Sequence, residues 1–168
     1  MVRSGYAVGG WGLLWFFGLG TDCGLDEVGR VTDWDQRFLD MAKLVGSWSR
    51  DPSTKVGAVI TKGKFVVSLG FNGHPAGLPD TLERLENREE KYKTILHAEL
   101  NAILTSRRDL NGCTIYIWPY LCCSQCAAVI IQSGIKRVVV PFRGLDRWGE
   151  SAVYLKESGV ELRVKETQ

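Results

Sequence analysis

Two short stretches hold the residues whose types and spacing could do chemistry: His97-Ala98-Glu99 and Cys123-Ser124-Gln125-Cys126. Cysteines at i and i+3 in the first turn of a helix share a face, and the free amides and dipole of a helix start stabilise thiolates, so the pair favours a soft divalent metal. With His97 the set has three protein ligands, one fewer than a closed structural zinc site uses, which leaves a fourth position for water. Two thiolates and a neutral imidazole cancel the charge of zinc. The water is then less acidic than at a three-histidine site and needs a base. Glu99, two residues from His97 near a helix start, can take a proton from water and return it to a substrate without joining the ligands. Either half alone is weak, because a Cys-x-x-Cys also serves as a redox pair or as half of a structural zinc site. The combination carries the argument.

Positioning these groups needs a scaffold, and from about Val31 the chain alternates helix and strand signals. Thr32 and Asp33 are capping residues, and Trp34, Phe38, Met41, Ala42, Val45 and Trp48 recur at the three- and four-residue spacing of an amphipathic helix. Asp51 and Pro52 break it. Residues 56–61 and 65–71 read as a hairpin, and a Gly- and Pro-rich loop spans 72–79. The charged stretch 82–93 reads as a solvated helix or turn, and a buried helix follows from near His97. A strand at 114–118, a helix from Cys123 to Gln132, a strand at 138–140, a helix at about 147–157 and a strand at 160–164 complete the pattern. Short apolar strands separated by helices call for a sheet covered on both faces, an α/β three-layer sandwich.

The 168 residues suit one domain with a real core. A hydrophobic fraction of 45% excludes a disordered chain, and a net charge of +2 gives no electrostatic case for a polynucleotide partner. Five cysteines, three of them crowded at Cys122, Cys123 and Cys126, are not the scattered framework of a secreted disulfide scaffold and point to a reducing, cytoplasmic compartment. Residues 1–30 differ from the rest. Their run of Trp11, Leu13, Leu14, Trp15, Phe16 and Phe17 is too short to span a bilayer and lacks a small-residue cleavage site, so we read an apolar extension without assigned role ahead of a domain at 31–168.

His-x-Glu followed by a Cys-x-x-Cys is the signature of zinc deaminases, in which an activated water attacks an amidine-like ring carbon and ammonia leaves. Beyond that signature, Ser49–Ile60 (SRDPSTKVGAVI), Gly70–Gly77 (GFNGHPAG) and Gln132–Val138 (QSGIKRV) resemble the deoxycytidylate deaminases, within the cytidine deaminase superfamily. The likeness covers about Asp33 to Val164. It implies a mixed five-stranded sheet between helices, dCMP as substrate and dUMP as product. It further implies one catalytic zinc held by His97, Cys123 and Cys126, a proton shuttle at Glu99, and a sugar-contacting Asn72, which could equally be an Asn-Gly turn former. For a 5′-phosphate, Arg50 and Lys55 are the candidate cations, with solvated side chains as the alternative. The loop Asn72, Gly73, His74, Pro75, Ala76, Gly77 resembles the segment with which relatives bind dCTP as activator and dTTP as inhibitor, with magnesium, between subunits of a homohexamer. His74 there reads as an exposed loop residue.

Two departures stand out. Relatives carry Pro before the first ligand Cys, where this chain has Cys122, expected to sit as a small apolar residue. Many also have a base-stacking Tyr after the fourth strand, for which Trp148 is the candidate substitute and a core role its alternative. Competing readings are a zinc deaminase of another nucleobase, as a nucleoside or in tRNA, and a non-catalytic zinc module, which would need a fourth protein ligand.

Overall fold

A computed structural model describes residues 33–142 and 149–166. The extension at 1–30 and Trp148 lie outside the described residues. Helix α1 (Trp34–Ser47) starts where the capping residues predict, its first turn closed by the Asp33 carboxylate accepting from the Gln36 N–H at 3.0 Å. It buries Phe38, Ala42 and Val45 of the stripe its spacing marks, together with Leu39, whereas Trp48 follows the helix and is exposed. Strands β1 (Gly57–Lys62) and β2 (Phe65–Phe71) form the expected antiparallel hairpin, turning through Gly63 at φ +57°. The charged stretch resolves into two short helices, α2 (Leu82–Glu86) and α3 (Arg88–Thr94), before α4 (Ala98–Ser106). Then come β3 (Thr114–Trp118), α5 (Ser124–Gln132), β4 (Arg137–Pro141), α6 (Gly149–Glu157) and β5 (Glu161–Lys165).

The five strands form one mixed sheet in the order β2-β1-β3-β4-β5. The β1–β2 and β1–β3 pairs are antiparallel, and β3–β4 and β4–β5 are parallel, as crossovers through α5 and α6 require. Alternate residues feed two cores. Val59, Tyr116 and Val139 pack with α1 on one face, whereas Ala58, Ile60, Ile115, Ile117, Val138 and Val140 pack with α4, α5 and α6 on the other. Burial on both faces is why the central strands are continuously apolar.

Helix α4 must lie hard against the hairpin if His97 and Glu99 are to be fixed, and Gly70 on β2 permits it. A Cβ at Gly70 would stand 2.4 Å from the Ala102 nitrogen and 2.6 Å from the Ala98 oxygen, both main-chain atoms that cannot yield as a side chain can. The contact is reinforced by Ser68 donating to the Ala102 carbonyl at 2.6 Å and by Asn101 donating to the Phe71 carbonyl at 2.9 Å. Gly70→Ala therefore destabilises the fold by about 3 kcal/mol. Urea unfolding checks this, and a loss below about 0.5 kcal/mol would refute so close an approach.

The other face is anchored by charge. The Asp35 carboxylate accepts two bonds from Arg137, each 2.8 Å, and one from the Tyr116 hydroxyl at 2.9 Å, with Arg163 3.2 Å away. Burial works to raise this carboxyl, but the Arg137 bonds outweigh it and hold Asp35 below the ordinary value of 3.8. A lowered folded-state pKa means stability that is present above the unfolded value and lost as pH falls through the folded one. Asp35→Asn thus costs about 2 kcal/mol at pH 7, below the cost of breaking a fully buried pair because both side chains are only partly buried, and less as the solution is taken below pH 4. Denaturant melts of both proteins at pH 7 and pH 3 measure that gap, which a constant difference would contradict.

Candidate active site

The two halves of the motif come together at the starts of two helices. His97 is the N-cap of α4 and Cys123 the N-cap of α5, both in extended backbone, and neither uses its side chain to cap its helix. A capping Ser or Asp at these places would spend its oxygen on the backbone. Here the imidazole and thiol are left for something else, while both helix starts direct positive dipole ends at them. Their first-turn bonds, Asn101 N–H to the His97 carbonyl and Ala127 N–H to the Cys123 carbonyl, are each 2.9 Å.

His97 Nδ1 lies 3.5 Å from Cys123 Sγ and 3.4 Å from Cys126 Sγ, and the three donor atoms fall within 4.8 Å of one another. With metal–sulfur and metal–nitrogen bonds of about 2.3 and 2.0 Å, a tetrahedral zinc centre needs an S···N separation of about 3.5 Å. Both sulfur–nitrogen separations therefore match a tetrahedral zinc centre. Cys126 is buried, Cys123 half-buried and His97 exposed, so the set is closed on one side and open on the other. Among the described residues no fourth Cys, His or carboxylate joins it, and a closed structural site is not what these residues build.

The two thiols are driven in opposite directions, Cys126 upward by its hydrogen bond to Cys123 and then by burial. Hydrogen bonding from Cys126 and then from His97 pulls the Cys123 thiol down to about 4, against the opposing effect of burial. The bond to Cys123 raises His97. Burial raises Glu99, with the His97 charge opposing only in part. Glu99 is 4% exposed and stays outside the ligand set, as the sequence predicts for a base. Cys122 also behaves as expected of a small apolar residue: it is 2% exposed, outside the cluster, and its thiol is pushed up by burial and then by the Glu99 charge. Its carbonyl accepts from Ser151 Oγ at 2.7 Å, which ties the ligand loop to α6.

A cavity of about 360 Å³ opens beside the cluster, with His97, Glu99 and Cys123 on its wall. Val56, Ile95, Ala98 and Leu121 supply apolar surface, Tyr92 and Tyr120 aromatic surface, and Asp51, Ser53, Thr54 and Lys91 a polar side. Asn72 is on the wall as well, but its amide is engaged by the chain. Oδ1 accepts from the Val56 N–H at 2.8 Å, and Nδ2 donates to the Thr54 carbonyl at 2.8 Å and reaches Asp51 Oδ2 at 3.5 Å. Its clearest role in this structure is to hold the 51–56 loop as one wall.

The candidate phosphate cations are not brought to the cavity. Arg50 is 73% exposed with Asp80 4.0 Å away, and Lys55 turns to the Ser47 carbonyl at the end of α1, 3.4 Å distant. Lys91, inside the stretch read as solvated, is there instead, 6% exposed. The rest of the 72–77 loop runs outward: Pro75, Ala76 and Gly77 are exposed, and Gly73 is paired with Leu96. His74 departs from the expected exposed residue. Its side chain is fully buried, with Nδ1 2.9 Å from Asp80 Oδ1.

Comparisons with known proteins agree with this geometry. The family model described as the cytidine and deoxycytidylate deaminase zinc-binding region matches residues 32–141. An uncharacterized deaminase in the luxG 3′ region of Aliivibrio fischeri is 50% identical over 139 residues, covering 79% of this chain and 93% of that one. The deoxycytidylate deaminase of Mus musculus is 41% identical over 115 residues, and the match spans 64% of each chain, so under two thirds of that relative's length is represented. Among solved structures, the dCMP deaminase of cyanophage S-TIM5 in complex with dCMP and dUMP superposes with a TM-score of 0.62 at 25% identity, covering 77% of this chain and 95% of that one. Among the described residues no helix is long and apolar enough to cross a membrane. With the family model matching residues 32–141, a relative 50% identical over 79% of the chain, and a His97, Cys123 and Cys126 cluster beside a buried glutamate, the chain belongs to the cytidine and deoxycytidylate deaminase family.

Proposed function

We propose that the protein deaminates dCMP to dUMP and ammonia with one zinc ion held by His97, Cys123 and Cys126. The observation that carries the reading is a three-donor cluster and the buried Glu99 on the wall of one nucleotide-sized cavity. Zinc bound there supplies a Lewis acid that makes water nucleophilic near neutral pH. The chain's own groups do the rest. Glu99 takes one proton from the attacking water and delivers it to ring nitrogen N3 as oxygen adds at C4; it then passes the second water proton to the departing amine, and the C4–N bond breaks. Its burial favours the protonated form that the middle of this cycle needs. The apolar wall of Val56, Ile95 and Leu121 strips water from the base and suits a flat heterocycle.

Arg50, Lys55 and Trp148 are not part of this reading of the pocket, whereas Asn72 serves it as the residue that sets the wall. The likeness of loop 72–77 to an effector segment motivates a further arm of the assay, activation by dCTP and inhibition by dTTP with magnesium, in a homohexamer. The test is ammonia release by zinc-loaded protein from dCMP, CMP, deoxycytidine and adenosine-containing RNA. Preference for dCMP is expected. Preference for RNA would select the tRNA-type deaminase, and no release from any substrate with zinc bound would leave a binding module.

A further inference from the structure

We infer that Lys91 is the specificity-determining residue that reads the 5′-phosphate of a nucleotide in this cavity, with Asp51 and Ser53 as the residues that aim it. The inference rests on the proposed function for its substrate class, but its evidence is separate. Lys91 is the one lysine or arginine among the described residues lining the cavity. It is also buried, so its charge faces little screening by solvent, unlike the exposed Arg50 and Lys55. A lysine is seldom buried without a partner, and this one has two: Asp51 Oδ1 at 3.2 Å and Ser53 Oγ at 2.9 Å. An ammonium carries three donors. The third has no partner among the described residues.

The objection is that Asp51 already neutralises Lys91 and would repel an anion. The bonding of Asp51 answers it. Besides Lys91, its Oδ1 accepts from the Ser53 N–H at 2.8 Å, the Ser53 hydroxyl at 2.8 Å and the Thr54 N–H at 3.2 Å. Burial alone would raise this carboxyl, yet these donors hold it below its ordinary value. The carboxylate is thus shared among donors from its own loop, α3 and, at 3.5 Å, Asn72 Nδ2, and it fixes the Lys91 side chain by a contact forty positions apart in sequence. A preorganised cation loses little rotamer entropy on meeting a ligand. The cavity wall thus carries three kinds of chemistry: the metal-ligand residues His97 and Cys123, the apolar Val56, Ile95 and Leu121, and the cationic Lys91. A nucleoside monophosphate presents the matching groups: an amino-heterocycle for the first two and a dianion for the third.

The test compares wild type with Lys91→Met and Lys91→Arg, both checked for zinc content and cooperative melting. It measures kcat/KM for dCMP and deoxycytidine, and the melting-temperature shift given by added dUMP and deoxyuridine. Lys91→Met should cut the preference for dCMP over deoxycytidine roughly 10- to 100-fold, the worth of one charged hydrogen bond, with Lys91→Arg retaining most of it. The dUMP shift should shrink in the Met variant far more than the deoxyuridine shift. Equal losses on both substrates mark a structural lysine and overturn the inference, as does an unchanged preference. Should the wild type deaminate neither compound, the proposed function fails while the dUMP shift still decides the role of Lys91: lost in Lys91→Met supports it, unchanged or absent from the wild type overturns it.

Discussion

Glu99→Gln lowers turnover of dCMP by roughly 100- to 10,000-fold, the contribution of a positioned general acid and base, while the protein keeps one zinc ion per chain. The separation of the two effects follows from the site. The ligand cluster comprises His97, Cys123 and Cys126 and does not include Glu99, so an isosteric amide leaves the donors where they are. What the amide cannot do is accept a proton from water and hand it on. Burial makes the loss sharper, because a residue 4% exposed has no pool of bulk water to relay protons in its place. Removing a buried, partly uncompensated carboxylate also relieves a desolvation penalty, so the variant should melt no lower than wild type. Ammonia release and metal content, measured on one preparation, check the pair of outcomes. Loss of zinc along with activity would mean that Glu99 supports the metal and is not its proton-transfer partner.

How far the sequence anticipates this site depends on whether the determining contacts are local. Helix α1 is legible because its cap and its buried stripe of Phe38, Leu39, Ala42 and Val45 lie within a few turns of one another. The convergence of His97, Cys123 and Cys126 is legible because each lies in or just before the first turn of a helix that the sequence pattern marks. The polar side of the cavity is not. Lys91 lies in a run of charged residues whose pattern is that of a solvated face, and the partners that bury it, Asp51 and Ser53, come from a loop far back in the chain. Proximity in sequence to the Asp51 turn makes Arg50 and Lys55 look like the phosphate cations, yet side chains on neighbouring residues point different ways. Arg50 leans toward Asp80 and Lys55 toward the end of α1. His74 misleads differently, since a Gly- and Pro-rich loop suggests exposure while this loop pairs the ring with its own Asp80, six residues on. Asn72 is read in advance as a ligand contact because an amide can both donate and accept. The structure shows those capacities satisfied by Val56 and Thr54, which is a role of shaping the wall that no local pattern reveals.

Cys126→Ala empties the metal site and abolishes turnover, a larger loss than any change on the cavity's polar side. Even residues that only support metal ligands cost 10- to 100-fold in affinity when replaced, and removing one of three ligands costs more. Cys126 is the buried member of the cluster, so no water-exposed side chain can swing in as a substitute, and among the described residues Cys122, beside Cys123 in the chain, is the thiol placed to try. Geometry opposes that rescue. Cys122 precedes the α5 N-cap and stands outside the helix, whereas the ligand pair needs i and i+3 on a single turn. Cys122→Ala should therefore retain zinc where Cys126→Ala does not, and the double variant should look like Cys126→Ala alone. Metal analysis after dialysis gives the result directly, and melting with and without a chelator gives it independently. Wild type and Cys122→Ala should lose stability when the chelator is added, because bound metal stabilises only the folded chain, and Cys126→Ala should show no response. Zinc retained by Cys126→Ala at one ion per chain would show that the third donor is not Cys126, and the open-cornered, three-ligand centre would have to be redrawn.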